Sequence, residues 1–151
     1  FYTLFLFILF LIIIPTFAES SVVGYWKSID DKTSTASGYW KLEIKDNQLL
    51  GYLINYRNMK PNHVCVACTG KLKEFFEKPI RSTAWINLKK NQNKVWKDGY
   101  IIDAGKGRKY KAEIWLEDNK LKMRGYVGFL HRTQTWIRTD QETAEQATFD
   151  E

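Results

Sequence analysis

The chain has 151 residues, a formal net charge of +6, and a composition that is 44% hydrophobic and 15% aromatic. This length is enough for one domain with a single core once any leader is removed. The positive charge favours anionic partners at the surface, among them lipid head groups, acidic glycans, nucleic acid and anionic small molecules.

The chain starts with a strongly apolar segment. From Leu4 to Ile14 every residue is Leu, Ile or Phe, and Pro15-Thr16-Phe17-Ala18 follows, with small residues at the third-last and last positions. This pattern is typical of a secretory signal peptide, whereas a membrane anchor needs roughly 20 apolar residues. We therefore expect residues 1–18 to be a cleaved signal peptide and the protein to be exported, to the bacterial periplasm or beyond. Export makes nucleic acid the weakest of the possible partners.

The clearest strand pattern lies at residues 39–45. Trp40, Leu42 and Ile44 occupy one face of this segment, and charged side chains occupy the other. Such alternation is typical of a half-buried antiparallel strand. Asp46-Asn47 follows, and both residue types tolerate positive φ, which predicts a hairpin to the next strand.

The same pattern continues to residue 138, with the last turn expected near Leu130-His131. It predicts eight strands, at residues 22–29, 39–45, 49–56, 83–89, 95–103, 109–116, 120–129 and 133–138. Eight sequential strands predict an all-β domain over residues 19–138, an eight-stranded antiparallel up-and-down barrel, because closure removes exposed edges. A β-sandwich is the alternative. A barrel of this size holds packed side chains or one small ligand.

The longest predicted connection, residues 57–82 between the third and fourth strands, contains Cys65-Val66-Ala67-Cys68. Its length is typical of a lid or binding loop. Three interpretations of the cysteines remain open. Export favours a local disulfide between Cys65 and Cys68. A thiol oxidoreductase would need the pair at a helix N-terminus, and a metal site that recruits His63 would lack a fourth ligand.

The C-terminal segment differs from the rest of the chain in charge. Residues 139–151 carry five acidic residues and no basic ones, so the remaining residues carry a net charge of about +11. Since the segment has no apolar periodicity, we expect it to be a solvated, disordered tail. The positive charge then belongs to the barrel.

Gly24-Tyr25-Trp26 opens the first predicted strand. A Gly-x-Trp at this place resembles the opening motif of lipocalins and their calycin relatives. The resemblance implies that Trp26 closes one end of the barrel beneath an Arg from the last strand or its flank, which is Arg138 or, alternatively, Arg132.

A longer set of motifs covers nearly all of residues 22–138. In chain order these are residues 24–31, Cys65-x-x-Cys68-x-Gly70, residues 103–110, Ile114-Trp115-Leu116, residues 121–126 and residues 132–136. The ordered set resembles a bacterial exported family with a lipocalin-like barrel that is catalogued as a domain of unknown function. The resemblance implies a fold and a compartment, and no reaction.

Side chains on the strand faces are the candidates for ligand binding in the lumen. They are Trp26, Trp40, Leu42, Ile44, Ile114, Met123, Arg124, Tyr126, Gln134 and Trp136. Fatty-acid-binding relatives of the lipocalins hold a carboxylate with an Arg and a Tyr two residues apart, as Arg124 and Tyr126 are. Simple alternation places these two toward solvent, and a bulge at Gly125 would be needed to turn them inward.

No catalytic constellation is evident, since His63 and His131 have no obvious nucleophile and carboxylate partners. We therefore expect neither an enzyme nor a cofactor or metal. The sequence predicts an exported protein that sequesters or carries a small hydrophobic or amphipathic ligand, anionic if the basic body contributes. The alternative is an envelope adaptor that binds its partner through a basic outer surface around a filled barrel. Nucleic acid binding and membrane integration after signal cleavage are not expected.

Overall fold

A computed structural model of the chain describes residues 21–149, so the predicted signal peptide at residues 1–18 lies outside the described residues. The described part contains eight strands and two short helical segments. The strands are β1 (Gly24–Ile29), β2 (Ala36–Lys45), β3 (Gln48–Tyr56), β4 (Ala84–Gln92), β5 (Val95–Asp103), β6 (Arg108–Glu117), β7 (Lys120–Val127) and β8 (Leu130–Thr139). The helical segments are a 3-10 helix (Gly70–Phe75) and helix α1 (Gln141–Gln146).

The eight strands form one closed antiparallel barrel. Each strand pairs with the next along the chain, and β1 also pairs with β8. The predicted up-and-down barrel is therefore confirmed. A single sheet that closes on itself excludes the β-sandwich alternative.

The two ends of the barrel have different connections. At one end the three hairpin turns Asp46-Asn47, Asn93-Lys94 and Asp118-Asn119 have positive φ at both residues, as tight turns between twisted strands require. The opposite end has the β1–β2 loop, the long connection of residues 57–83, and the β5–β6 and β7–β8 turns. We call the first end the closed end and the second the mouth.

The last hairpin turn lies earlier than the sequence predicted. Strand β7 ends at Val127, Gly128 has a φ of 59°, and Leu130 and His131 already belong to β8. A left-handed φ suits glycine because it has no Cβ. The predicted turn at Leu130-His131 is wrong because the apolar alternation continues through Phe129, although the glycine has already ended the strand.

The half of the barrel nearest the closed end is filled by side chains. Trp26, Leu42, Leu49, Ile114 and Leu121 are fully buried there. Burial of apolar surface stabilises the folded state by about 25 cal/mol per Å². We therefore expect this half to anchor the fold and leave the mouth half for a site.

Residues 57–83 fold over the mouth, and we call this segment the lid. Val64 forms an isolated antiparallel bridge with Pro79, which closes the lid into a compact unit. Leu72 and Ile80 are buried against the barrel core. The lid is thus an ordered wall at the mouth.

The segment after β8 packs on the outside of the barrel. The carboxylate of Asp140 accepts a hydrogen bond from the N–H of Thr143 at 2.8 Å and so caps helix α1. Ala144 is fully buried, and the ring of Phe149 lies 5.8 Å from that of Tyr39. We call residues 140–149 the strap.

A β3 side chain holds the strap in place. Asn55 Nδ2 donates to the carbonyl oxygens of Ala144, at 3.1 Å, and Ala147, at 3.0 Å. The prediction of a disordered tail is therefore wrong for the described part of residues 139–151. The few apolar side chains of this segment are enough to order it because they pack on an outer patch that includes Tyr39 and Ile54.

Candidate ligand-binding cavity

A tryptophan and an arginine form the floor of the barrel. Trp26 is fully buried, and its Nε1–H donates to the carbonyl oxygen of Val22 at 2.8 Å. The guanidinium carbon of Arg138 lies 4.2 Å from the centre of the Trp26 ring, and its Nη1 donates to the carbonyl oxygen of Val23 at 3.1 Å. A guanidinium over an indole face stabilises the fold by roughly 0.5–2 kcal/mol.

The glycine of the opening motif has a steric role in the same floor. Gly24 has a φ of 132°, and a Cβ at this position would lie 2.9 Å from Arg138 Nη1. Arg132, the other candidate, lies at the mouth, where its Nε donates to the carboxylate of Asp31 at 2.8 Å. Arg138 therefore takes the position over Trp26.

Above this floor, a cavity of about 780 Å³ occupies the mouth half of the lumen. Its walls are largely apolar, and the rings of Trp40 and Trp136 stack within them, with centres 5.3 Å apart. The main apolar lining residues are Trp40, Leu53, Trp85, Ile102, Met123 and Trp136. The exposed Val66 and Val127 also line the cavity, which therefore opens to solvent at the mouth.

A few polar groups interrupt these apolar walls. The hydroxyl of Tyr56 is hydrogen-bonded to Nδ1 of His63 in the lid. Burial raises the pKa of the Tyr56 phenol. Gln134 Oε1 accepts a hydrogen bond from Trp136 Nε1 at 3.1 Å. Apolar walls with a small number of placed polar groups are typical of small-molecule sites.

Charged side chains stand at the rim of the cavity. Asp103, Lys106 and Arg132 contribute to its lining. The carboxylate of Asp103 accepts a hydrogen bond from the backbone N–H of Lys106 at 3.0 Å, which shapes the β5–β6 turn. The rim therefore carries charge of both signs.

Seven of the ten predicted lumen residues lie inside the barrel. Trp40, Met123, Gln134 and Trp136 line the cavity. Trp26, Leu42 and Ile114 are buried below it in the packed half. The alternation predicted which side chains face inward, and it carried no information on which half of the lumen is filled.

Ile44 is a wrong prediction for the lumen. It shares its strand face with Trp40 and Leu42, but it lies at the closed end of β2 with a relative exposure of 48%. Its side chain borders a separate hollow at this end of the barrel, together with Val22, Trp96 and Leu116. The alternation predicted the strand face, but the position of Ile44 along β2 places it outside the main cavity.

Arg124 and Tyr126 are also wrong predictions for the lumen. The guanidinium carbon of Arg124 lies 5.0 Å from the centre of the Trp115 ring, and the Tyr126 hydroxyl donates to the Glu113 carboxylate at 2.8 Å. Strand β7 pairs with both neighbours without a register shift at Gly125. Simple alternation therefore holds, and both side chains lie on the outer face.

The cysteines fix the tip of the lid. Cys65 and Cys68 form a disulfide, which closes residues 65–68 into a small loop. The carbonyl oxygen of Ala67 would lie 1.9 Å from a Cβ on Gly107, whose φ is 61°. The disulfide-closed segment thus sits directly on the β5–β6 turn, in a contact that only glycine permits.

Two polar residues of the cavity, Tyr56 and His63, were not predicted as site residues. A register shift between β2 and β3 lets Ile54 and Asn55 both face outward, toward the strap. Tyr56 then joins Leu53 on the cavity wall. A β-bulge of this kind leaves no clear signal in the alternation of apolar residues.

Residues 21–149 contain neither a metal-binding cluster nor a membrane-spanning helix. No cluster of three or more His, Cys, Asp or Glu side chains suited to a metal ion occurs in this range. Its helices are also too short and too polar for any of them to traverse a bilayer.

Residues 24–138 match the model of a bacterial protein family described as "Uncharacterized protein conserved in bacteria (DUF2147)". Among solved structures, the chain is similar to protein HP1028 from Helicobacter pylori, which is described as belonging to the lipocalin family. The two share 13% sequence identity with a TM-score of 0.66, over 81% of this chain and 85% of that one. No curated protein sequence matches the chain significantly. The structural likeness shows a lipocalin-like fold.

Proposed function

The chain belongs to the DUF2147 family of bacterial proteins, and we propose that it is an exported protein that sequesters or carries a small hydrophobic or amphipathic molecule in its cavity. A lipocalin-like fold is associated with ligand binding in general. The observation that carries the proposal is the cavity of about 780 Å³. Pockets for small molecules usually measure about 300–1,000 Å³.

The apolar walls provide the affinity. Trp40, Trp85 and Trp136 are among the residues that line the cavity, and a ligand that covers the apolar lining leaves water together with it. This removal of apolar surface from water is the driving force for binding. The ligand must therefore have an apolar body.

The polar groups orient the ligand. Tyr56, His63 and Gln134 lie in the cavity wall, and Lys106 and Arg132 lie at its rim. Hydroxyl, imidazole and amide groups recognise a polar head, and the two cations favour a head that is anionic. An amphipathic molecule would place its apolar part over the floor and its head at the mouth.

The lid controls access in this proposal. It supplies His63, Val64, Val66 and Ile80 to the cavity wall, so entry of a bulky ligand requires its displacement. The lid tip contacts the β5–β6 turn where Ala67 lies against Gly107, so this contact must break when the lid opens. The proposal includes no catalytic step, and export rests on the apolar sequence before residue 19.

A cavity-filling substitution tests the proposal. Gly125 lines the cavity, and a Cβ on it would meet no atom within 4 Å. Gly125→Phe therefore projects a ring into open space without displacing the backbone. With delipidated protein and an apolar fluorescent probe, we expect saturable binding to the wild type and about a tenfold or greater loss of affinity in the variant.

The matched control adds a similar ring outside the cavity. Ile44→Phe lies on an inward strand face at the closed end, and it should bind the probe as the wild type does. Native mass spectrometry of protein purified from its own host should also reveal a co-purifying small molecule. Equal probe binding by wild type and Gly125→Phe, or no probe uptake at all, would contradict the proposal.

The alternative of an envelope adaptor required a filled barrel. The cavity above Trp26 gives that premise no support. A filled lumen in the purified protein, with no probe uptake beside strong binding of a partner to the basic surface, would favour the adaptor.

A further inference from the structure

Four exposed apolar side chains are gathered at the mouth of the barrel. Phe129, at the tip of the β7–β8 hairpin, is 94% exposed, and its neighbours Val127 and Leu130 are 62% and 63% exposed. Val66, at the tip of the lid, is 68% exposed. We call these four residues the apolar rim. None of them is needed to fill the barrel core, so the fold leaves their exposure unexplained.

The rim borders the entrance of the cavity. Val66 and Val127 line the cavity and are exposed to solvent at the same time. Phe129 and Leu130 continue the rim outward from Val127, because Gly128 turns the chain there with a φ of 59°. The most exposed apolar surface of the described chain thus surrounds its proposed ligand entrance.

Positive charge is concentrated around the same end. The lid has six Lys and Arg residues and two Glu, and residues 103–109, which contain the β5–β6 turn, have three Lys and Arg and one Asp. The β1–β2 loop opposes them only weakly, with Asp30 and Asp31 against Lys32, and Asp31 is paired with Arg132. The mouth therefore presents apolar side chains inside a basic surround.

The closed end is close to neutral. Its three hairpin turns, with the residue on either side of each, contain three Lys and three Asp or Glu residues. Positive charge is thus greater at the mouth than at the closed end. An extended anionic surface would attract the mouth more strongly than the closed end.

We propose that the mouth docks on an anionic phospholipid bilayer, with the apolar rim inserted among the acyl chains and the surrounding Lys and Arg residues at the head groups. Four side chains are too few for a stable protein interface, which buries about 800 Å² on each partner. They suit a bilayer, where modest apolar insertion and attraction to anionic lipids act together. Docking in this orientation would let an apolar ligand enter the cavity directly from the membrane.

Vesicle flotation tests this inference. The probes are vesicles of phosphatidylcholine alone and vesicles of phosphatidylcholine mixed with phosphatidylglycerol. We expect the wild type to bind the anionic vesicles, to release them at high salt, and to bind neutral vesicles weakly. The double variant Phe129→Ser with Leu130→Ser should lose about tenfold or more in partitioning, because it removes the most exposed apolar area of the rim.

Two controls distinguish docking through the mouth from nonspecific adsorption of the protein to vesicles. Val23→Ser with Ile44→Ser removes exposed apolar side chains outside the rim and should leave vesicle binding unchanged. Lys71→Ala with Lys73→Ala, in the lid, should weaken binding to anionic vesicles, whereas Lys45→Ala with Lys120→Ala, near the closed end, should weaken it much less.

The outcome is independent of the proposed ligand site, since the rim variants should still bind the apolar probe in the cavity. Absence of binding to anionic vesicles, or equal binding by the rim variant and the wild type, would overturn the inference. So would a rim-dependent dimer in analytical ultracentrifugation without vesicle binding, because the rim would then cover a second copy of the chain.

Discussion

The indole rings of Trp40 and Trp136 stack across strand β1, 5.3 Å apart at their centres. Their strands lie on either side of β1, which contributes the small side chain of Ser28 to the lumen between them. The Ser28 hydroxyl donates to the carbonyl oxygen of Gly38 at 3.0 Å, so it is satisfied without filling the space. This arrangement places a stacked aromatic pair in the wall of the cavity.

Removing one of these rings should destabilise the barrel. Trp136 is 1% exposed, and we expect Trp136→Ala to lower the free energy of unfolding by about 3–5 kcal/mol, as other buried Trp truncations do. Urea denaturation measures this loss. Trp115 lies on the outer face, where it contacts Arg124, so Trp115→Ala should lower the free energy of unfolding by less than half as much. Equal losses in the two variants would contradict the assignment of Trp136 to the inner face and Trp115 to the outer face.

The floor contact gives a second prediction. Arg138→Ala removes the stacking on Trp26 and the hydrogen bond to Val23, and should lower the free energy of unfolding by about 1–3 kcal/mol. Arg132→Ala removes an exposed ion pair with Asp31, and should cost less than about 1 kcal/mol. The reverse order in thermal or urea unfolding would show that the floor is not closed by Arg138.

The seat of the lid gives a third prediction. Gly107→Ala places a Cβ against the Ala67 carbonyl oxygen at a left-handed φ. The lid must lift to relieve this contact, so a reductant should reach the disulfide between Cys65 and Cys68 faster than in the wild type.

Gly70→Ala is the matched control. Gly70 also has a left-handed φ, of 59°, but a Cβ there would meet no atom within 4 Å. Gly70→Ala should lower the free energy of unfolding only by the backbone strain, about 1 kcal/mol. It should leave the rate of disulfide reduction unchanged. If both variants were reduced equally fast, the contact between Ala67 and Gly107 would not be what seats the lid.

The strap should respond to acid. Hydrogen bonds from the backbone N–H and the side chain of Thr143 hold the pKa of Asp140 below its ordinary value of 3.8. A carboxylate with a lowered pKa in the folded state stabilises the fold fully at pH values above its ordinary pKa. This stabilisation is lost as the pH falls through the pKa of the folded state. The Ala144 amide signal in NMR should therefore report loosening of the strap only below about pH 4.

A substitution at the same position separates the charge from the cap. Asp140→Asn keeps an oxygen that accepts the N-cap hydrogen bond, and should keep the strap docked without this acid transition. Asp140→Ala should loosen the strap already at neutral pH. An acid transition of unchanged midpoint in Asp140→Asn would show that another group controls the strap.

The sequence predicted the barrel well because alternation is a local signal. The strand at residues 39–45 displays its two faces in every residue, and the hairpin residues Asp46-Asn47 fix where the strand turns back. The Gly-x-Trp resemblance likewise pointed to the floor formed by Trp26 and Arg138. Each of these features depends on neighbours in the chain or on a motif.

The features that the sequence did not predict depend on distant parts of the fold. Tyr56 reaches the cavity because a bulge near Ile54 changes the alternation at the end of β3. Phe149 orders the strap because Tyr39, from a strand far away in the chain, receives it. Whether an inward side chain meets a filled or an open lumen is set by the volume of all eight strands together, which no single pattern encodes.

The indole N–H signals of the six tryptophans in a proton–nitrogen NMR spectrum test the central claim most directly. Trp40, Trp85 and Trp136 line the cavity, whereas Trp26, Trp96 and Trp115 do not. On titration with an apolar probe, we predict that the signals of the first three shift together and that those of the other three stay in place. Shifts confined to Trp115, or uniform small shifts of all six, would contradict ligand binding in the cavity.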